Sequence, residues 1–254
     1  MVKKIIKKKV TEKLGQKKND SFVNRLGFKF FIFLITIFLL TQIIGLMTAN
    51  YYSSNNLVKG IITDDPNNVW NAIFIIAQII VFTAILLFLK KIFKSGNFVY
   101  LFEFLALFVG MIVVFDIFLS YISALLLSFI VLITREIVKD KVKPNTLMWF
   151  NNIILIVAIA GAGAIIGLSL GILPIVFLLV LLSVYDIVAV FWTKHMITLA
   201  KMFIKKKVAL TFGIPSKLRL FQLGGGDIVI PLTVSSSLFF VLIKSSHLYQ
   251  LCFQ

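Results

Sequence analysis

Two stretches decide the reading of this chain: Leu173–Trp192, LPIVFLLVLLSVYDIVAVFW, and Phe221–Pro231, FQLGGGDIVIP. The first is an apolar run interrupted by one acid, Asp186, preceded by Tyr185. The second places Asp227 directly after Gly224, Gly225 and Gly226, at the head of another apolar run. A carboxylate held inside a bilayer costs about 2.5–3.5 kcal/mol on insertion scales. Two such acids, one beside a run of glycines, point to a working pair.

Working outward, the whole chain has membrane composition. Of its 254 residues, 60% are hydrophobic and 26 are Phe. Apolar runs of about 18 residues or more recur, and the polar stretches between them are short. No separate soluble domain fits. The net charge of +16 raises the question of nucleic acid. Position answers it: the basic residues crowd the ends of apolar spans, where headgroups and the insertion machinery read them. The single cysteine, Cys252, excludes an internal disulfide and a cysteine metal cluster. His195 and His247 lie on different segments without ligand spacing. Neither a metal nor a cofactor is expected.

The N-terminal apolar stretch, Phe28–Ala49, is too long for a cleaved signal and lacks a small-residue cleavage site. Before it, Met1–Asp20 carries eight lysines. Val2, Ile5, Ile6, Val10 and Leu14 fall near one helical face there. This segment reads either as a basic amphipathic helix on the cytoplasmic leaflet or as a disordered basic tail. The 37-residue run Phe98–Thr134 would be roughly 55 Å long as one helix, too long for a hydrocarbon core of about 30 Å. It therefore divides near Ser120–Ser123. The run Leu147–Thr193 divides at Gly171 and Pro174, because proline disfavours helix continuation. The expected fold is an all-α polytopic membrane protein with seven spans: 28–49, 70–89, 98–119, 122–134, 148–170, 173–193 and 226–243. A basic segment 1–27 precedes a single transmembrane domain 28–254, with a loop at 194–225. Placing the N-terminus in the cytoplasm puts 24 of 26 basic residues on one side, leaving only Lys59 and Lys244 elsewhere. The loop 194–225 is then cytoplasmic and Gln254 lies outside. Lys205–Lys207 read as cytoplasmic anchors.

In this topology the sixth span runs inward and the seventh runs outward. Asp186 lies seven residues from the end of its span, roughly 10 Å deep. Asp227 opens the next span from the same side. The two acids reach comparable depth and meet if their helices are neighbours. Two facing carboxylates cannot both ionise cheaply, so such a pair shares a proton near neutrality. One member can then take a proton from water while the other polarises a peptide carbonyl. The glycines suit backbone angles that other residues resist, and they permit close approach of another chain. Pro231 cannot donate to the carbonyl of Asp227, four residues earlier, so the helix start there is incompletely bonded. The segment Lys207–Phe212, KVALTF, has strand character. It reads as a plain loop or as an edge for unwound substrate backbone.

Tyr-Asp in one span and Gly-x-Gly-Asp opening the next, joined by a basic loop, resembles the presenilin and signal peptide peptidase family of intramembrane aspartyl proteases. The stretch FQLGGGDIVIP is most similar to its archaeal presenilin-like branch, and the cytoplasmic N-terminus favours the presenilin orientation. The resemblance implies that Asp186 and Asp227 are the catalytic pair, supported by Tyr185, Gly224, Gly225, Gly226 and Pro231. It implies membrane-protein substrates with single spans, cleaved within the bilayer. The family has nine spans and a Pro-Ala-Leu motif near the ninth. This sequence stops at Gln254 and contains no such motif. The expectation is that it is either truncated or a degenerate member, and that this form is inactive or nearly so.

Other readings attach to the same residues. Asp186 and Asp227 would be structural if paired with Lys or backbone, but no Lys or Arg lies in their spans. Tyr185 is either interfacial packing or a hydrogen-bond partner of the acids. Glu103 and Asp116 in the third span lack a motif and read as structural hydrogen bonding or water-lined positions. Gly161, Gly163 and Gly167 read as close helix packing. A proton-coupled transporter also uses intramembrane acids, but would show internal repeats, which are absent. A non-catalytic binder of membrane proteins is the third possibility. The orientation has a direct check: Cys252 should react with a membrane-impermeant maleimide on intact cells. Labelling only after permeabilisation would overturn the span count or its direction.

Overall fold

The computed structural model describes residues 31–55, 65–93, 97–139, 141–192, 210–214 and 221–252. The basic segment Met1–Asp20, Lys59 and Lys205–Lys207 lie outside these. The chain forms two compact units, 1–40 and 41–254. Of the first, the described part is the start of helix α1, Phe31–Ser54. The remaining elements are α2 (Val69–Ile92), α3 (Phe98–Phe115), α4 (Tyr121–Val138), α5 (Pro144–Leu168), α6 (Ile172–Ile187), β1 (Thr211–Ile214), β2 (Phe221–Gly224) and α7 (Gly226–Cys252). A π-helical turn, Val188–Trp192, continues α6. Six helices are long and apolar enough to span a bilayer, and Gly226–Leu242 of α7 is a shorter apolar stretch. The chain is an all-α polytopic membrane protein carrying one small β-hairpin.

Local sequence accounts for the breaks. Asn68 caps α2 by accepting from the Trp70 amide at 3.0 Å, and Lys90 and Lys91 complement the helix dipole at its far end. The long run divides where expected: α3 ends in a turn at Asp116, and Ser120 opens α4 in an extended conformation. The Ser123 hydroxyl donates back to the Ser120 carbonyl at 2.8 Å. Pro144 occupies the first turn of α5, where its missing N–H costs nothing. Gly171 begins α6, and its amide donates to the Pro66 carbonyl at 2.8 Å.

Several boundaries differ from expectation. The span expected at 122–134 is longer, Tyr121–Val138, so Arg135 falls within the helix and is buried. The reason is a partner: its guanidinium pairs with Glu103 of α3, and its Nε donates to Asn151 Oδ1 of α5 at 2.9 Å. A paired cation is no longer a helix-ending one. Lys139 extends the contact by standing 4.7 Å over the Tyr100 ring. The fifth helix starts earlier than expected, at Pro144, and α7 continues past 243 to Cys252.

Helix α5 is the centre of the second unit. Two-thirds of its apolar window is buried (67%), against 22–33% for the other five spans. It packs on α3, α4, α7 and β1. Its small residues allow backbones to touch. A Cβ on Gly161 would strike the Gly110 carbonyl of α3, and one on Gly110 would strike the Ala158 carbonyl. Gly163 and Gly167 face α7 instead, against Leu232, Thr233 and Ser236. Leu232 is fully buried and also fills the space left by Gly45 of α1. A separate pairing of α2 with α6 closes over Ala72, Ile75, Ile76, Ile175 and Leu178. Helix α6 in turn meets α7. Large apolar residues such as Phe88, Val109, Ile130 and Leu173 remain exposed, as a lipid-facing surface requires.

Candidate active site

Asp186 is the penultimate residue of α6, one residue short of the π-helical turn. Wider turns of this kind concentrate at functional positions, because they re-aim the side chains around them. Asp227 lies in the first turn of α7. Helices α6 and α7 pack together; Asp186 lies near the end of the first and Asp227 at the start of the second. Both residues are exposed. Among the described residues, neither carboxylate makes a hydrogen bond or an ion pair. The other helix-borne acids behave differently. Glu103 pairs with Arg135, Glu136 with Arg135 and Lys139, and Asp116 accepts from the Tyr52 hydroxyl at 2.7 Å. Glu103 and Asp116 therefore fit the structural reading. The Tyr185 hydroxyl meets Thr83 Oγ1 at 3.1 Å, tying α6 to α2.

The approach to Asp227 is a two-stranded antiparallel hairpin, with Thr211 opposite Gly224 and Ile214 opposite Phe221. The strand signal of Lys207–Phe212 is thus realised slightly later, at Thr211–Ile214. The Gly225 amide donates to the Leu210 carbonyl at 3.1 Å, extending the ladder by one pair. The Gly225 carbonyl accepts from Ile228 and Val229, so it also starts α7. Strand, turn and helix follow without slack, and this delivers Asp227 at a defined place.

Of the two roles expected of the glycines, unusual backbone angles and close approach, the described geometry fits the second. None of Gly224, Gly225 or Gly226 adopts a positive φ that side chains resist. What matters is space, and only at one position. A Cβ on Gly225 would lie 3.0 Å from Ile159 Cδ1 and 3.1 Å from the Leu210 carbonyl oxygen. A Cβ on Gly224 would sit 3.4 Å from Asp227 Oδ2, an ordinary contact, and one on Gly226 would meet nothing within 4 Å. Pro231 lies inside α7, leaving the Asp227 carbonyl without its i+4 amide.

One residue of this region has no sequence signal. Asn152 of α5, buried beneath the hairpin, donates from Nδ2 to the Gly213 carbonyl at 2.8 Å. Its Oδ1 accepts from the Gly213 amide at 3.0 Å. An asparagine within an apolar helix has many uses, and its partner lies 61 positions away.

A family model described as signal-peptide peptidase, presenilin aspartyl protease matches residues 35–223. The chain belongs to this family. The match includes Tyr185 and Asp186 and stops just before Gly224. Among solved structures, a presenilin-family intramembrane aspartate protease in a C222 crystal form is similar at 24% identity and a TM-score of 0.51, over 80% of this chain and 73% of that one. A P2 crystal form of a protein so described gives 24% identity and a TM-score of 0.53, over 82% and 76%. These likenesses show the fold. No curated protein matches the chain. The family and the likeness in fold make this an integral multi-pass membrane protein, in which α6 and α7 are in contact.

The contrast between the glycines is testable by thermal unfolding in detergent. Gly226→Ala should leave stability unchanged or raise it by up to about 1 kcal/mol, since Ala fits and restricts the unfolded chain. Gly225→Val should cost about 1–3 kcal/mol, because Ile159 and the Leu210 carbonyl must move. Equal losses at both positions would contradict the assignment of space rather than conformation.

Proposed function

We propose that this chain is an intramembrane aspartic endopeptidase in which Asp186 and Asp227 form the catalytic dyad. Its substrates are membrane proteins with single spans, cleaved within their transmembrane helices. The observation that carries this reading is the state of the two acids: exposed, without a partner among the described residues, and borne on the ends of two packed helices. The family membership supports it independently. In the same reading, residues 1–27 are a basic cytoplasmic segment and 28–254 form one transmembrane domain. The loop 194–225 is cytoplasmic, and position 254 lies outside.

The chemistry needs only water. One carboxylate is ionised and takes a proton from a water molecule as the water oxygen attacks the scissile carbonyl carbon. The other is protonated and hydrogen-bonds the carbonyl oxygen, which becomes a hydroxyl in the tetrahedral intermediate. Collapse of that intermediate breaks the C–N bond, with a proton passing to the leaving nitrogen. Two carboxylates sharing one proton supply both roles.

A helical substrate must be unwound before its carbonyl can be reached, and its freed backbone then needs partners in a medium that offers none. The hairpin suits that need. The Leu210–Gly225 bond sets its alternation, so the amides and carbonyls of Gln222 and Gly224 point away from β1. Among the described residues, no hydrogen bond engages these outward groups of β2. A substrate strand added there would pass within three residues of Asp227.

In any active, full-length version of the protein, Asp186→Asn and Asp227→Asn should be compared with the wild type on one single-span substrate. Each substitution should lower turnover by about 10²-fold or more, the usual scale of acid–base catalysis, while leaving thermal stability intact. Cleavage by either variant at the wild-type rate rejects the dyad.

A further inference from the structure

The structure assigns Asn152 as a positioning residue: its carboxamide closes the outer edge of β1 and thereby holds the hairpin that delivers Asp227. This inference rests on the protease reading of the site. Its geometry stands separately.

In an antiparallel pair, residues alternate between exchanging bonds with the partner strand and pointing them outward. The register pairs Thr211 with Gly224 and Gly213 with Gln222. Because Leu210 bonds Gly225, the paired positions of β1 are the even-numbered ones, and Thr211 and Gly213 face outward. The outward amide and carbonyl of Gly213 are the two groups that Asn152 satisfies. A primary carboxamide carries one acceptor and two donors at the spacing of a peptide group. Asn152 thus acts as one residue of a third strand.

Two consequences follow. First, an open strand edge buried in a membrane protein carries unpaired groups and invites strand addition. With Gly213 occupied, β1 cannot accept a substrate backbone along its length, and β2 is the edge left for it. Second, the hairpin is tied to α5, the most buried of the six described long spans. Met148 of α5 lies against Gly213, where a Cβ would stand 2.7 Å from its Cγ and 2.8 Å from its Sδ. Phe212, fully buried, anchors the neighbouring position. Asn151, the residue before the clamp, accepts from Arg135 Nε, so this turn of α5 is itself fixed to α4. Movement of the hairpin would carry Gly224 and Gly225, and with them the start of α7. Misplacement of a catalytic group by about 1 Å can cost about 10²-fold in rate.

The test uses Asn152→Leu, similar in size and without hydrogen-bonding capacity. Hydrogen exchange in detergent micelles and turnover of a single-span substrate are both measured, with Asp227→Asn as the control for chemistry. Exchange in peptides covering 210–214 and 221–225 should quicken by about tenfold or more, while peptides from α3 and from 153–168 of α5 stay as in the wild type. The kcat should fall by about 10- to 100-fold with KM within about twofold, a split that partial unfolding alone would not produce in protein whose helices exchange normally. If Asn152→Leu does not fold, Asn152→Ala removes the clamp without added bulk and is read in the same way. Unchanged hairpin exchange overturns the proposal. Faster exchange with unchanged kcat overturns it too, because the hairpin would then not position Asp227. If wild type and Asp227→Asn cleave at equal measurable rates, the protease reading is what fails, and if neither cleaves, turnover does not report on the clamp. The clamp is then upheld or overturned by hairpin exchange alone.

Discussion

Everything in the second unit depends on how closely α5 can approach its neighbours. In a bilayer, apolar side chains gain nothing by leaving lipid, so helix association rests on packing and on hydrogen bonds. Gly161 against Gly110 brings α5 onto α3 with backbone touching backbone, and Gly163 and Gly167 do the same for α7. Because the two contacts lie on different faces of one helix, α3 and α7 are positioned by the same rigid rod. Leu232, seated against both Gly163 and Gly45, joins α7 to the second half of α1. The placement of Asp227 begins with these contacts.

A second constraint is the cost of polar groups away from water. The described helices meet it with specific partners. Glu103, Arg135 and Asn151 link α3, α4 and α5. Tyr52 meets Asp116, Ser237 donates to the Leu170 carbonyl, and Asn152 satisfies Gly213. Removing one member of a buried ion pair is typically worth about 3–5 kcal/mol, because the other charge is stranded. Against this background, Asp186 and Asp227 differ in being exposed and without a described partner. Each adjoins a fixed element: Asp186 the Tyr185–Thr83 contact, and Asp227 the hairpin. A site that must bind water and a peptide carbonyl needs carboxylates free of competing partners on a frame that does not move.

Much of this was legible in the sequence, for identifiable reasons. Span number followed from apolar length set against bilayer thickness, and the breaks at Ser120 and Gly171 followed from turn chemistry. The acids stood out because carboxylates are rare in such runs. Arg135 was misplaced among the flanking cations because its partner, Glu103, lies 32 residues away on another helix. For the glycines, the sequence offered both unusual angles and close approach, and could not say which of the three positions is crowded. Only coordinates reveal that Ile159 and Leu210 press on Gly225 while Gly226 faces open space. Asn152 was invisible for a related reason: its meaning depends on the register of strands that the sequence only hinted at.

The central claim is that Asp186 and Asp227 act as one unit on a peptide bond. It is tested most directly by a peptide analogue in which a hydroxyl-bearing tetrahedral carbon replaces the scissile carbonyl, fitted with a photo-crosslinker. Such a group mimics the intermediate and binds far more tightly than substrate where two carboxylates share a proton. The account predicts saturable labelling of the wild-type protein, lost on replacing either aspartate by asparagine. Labelling of both single variants at wild-type strength would contradict it.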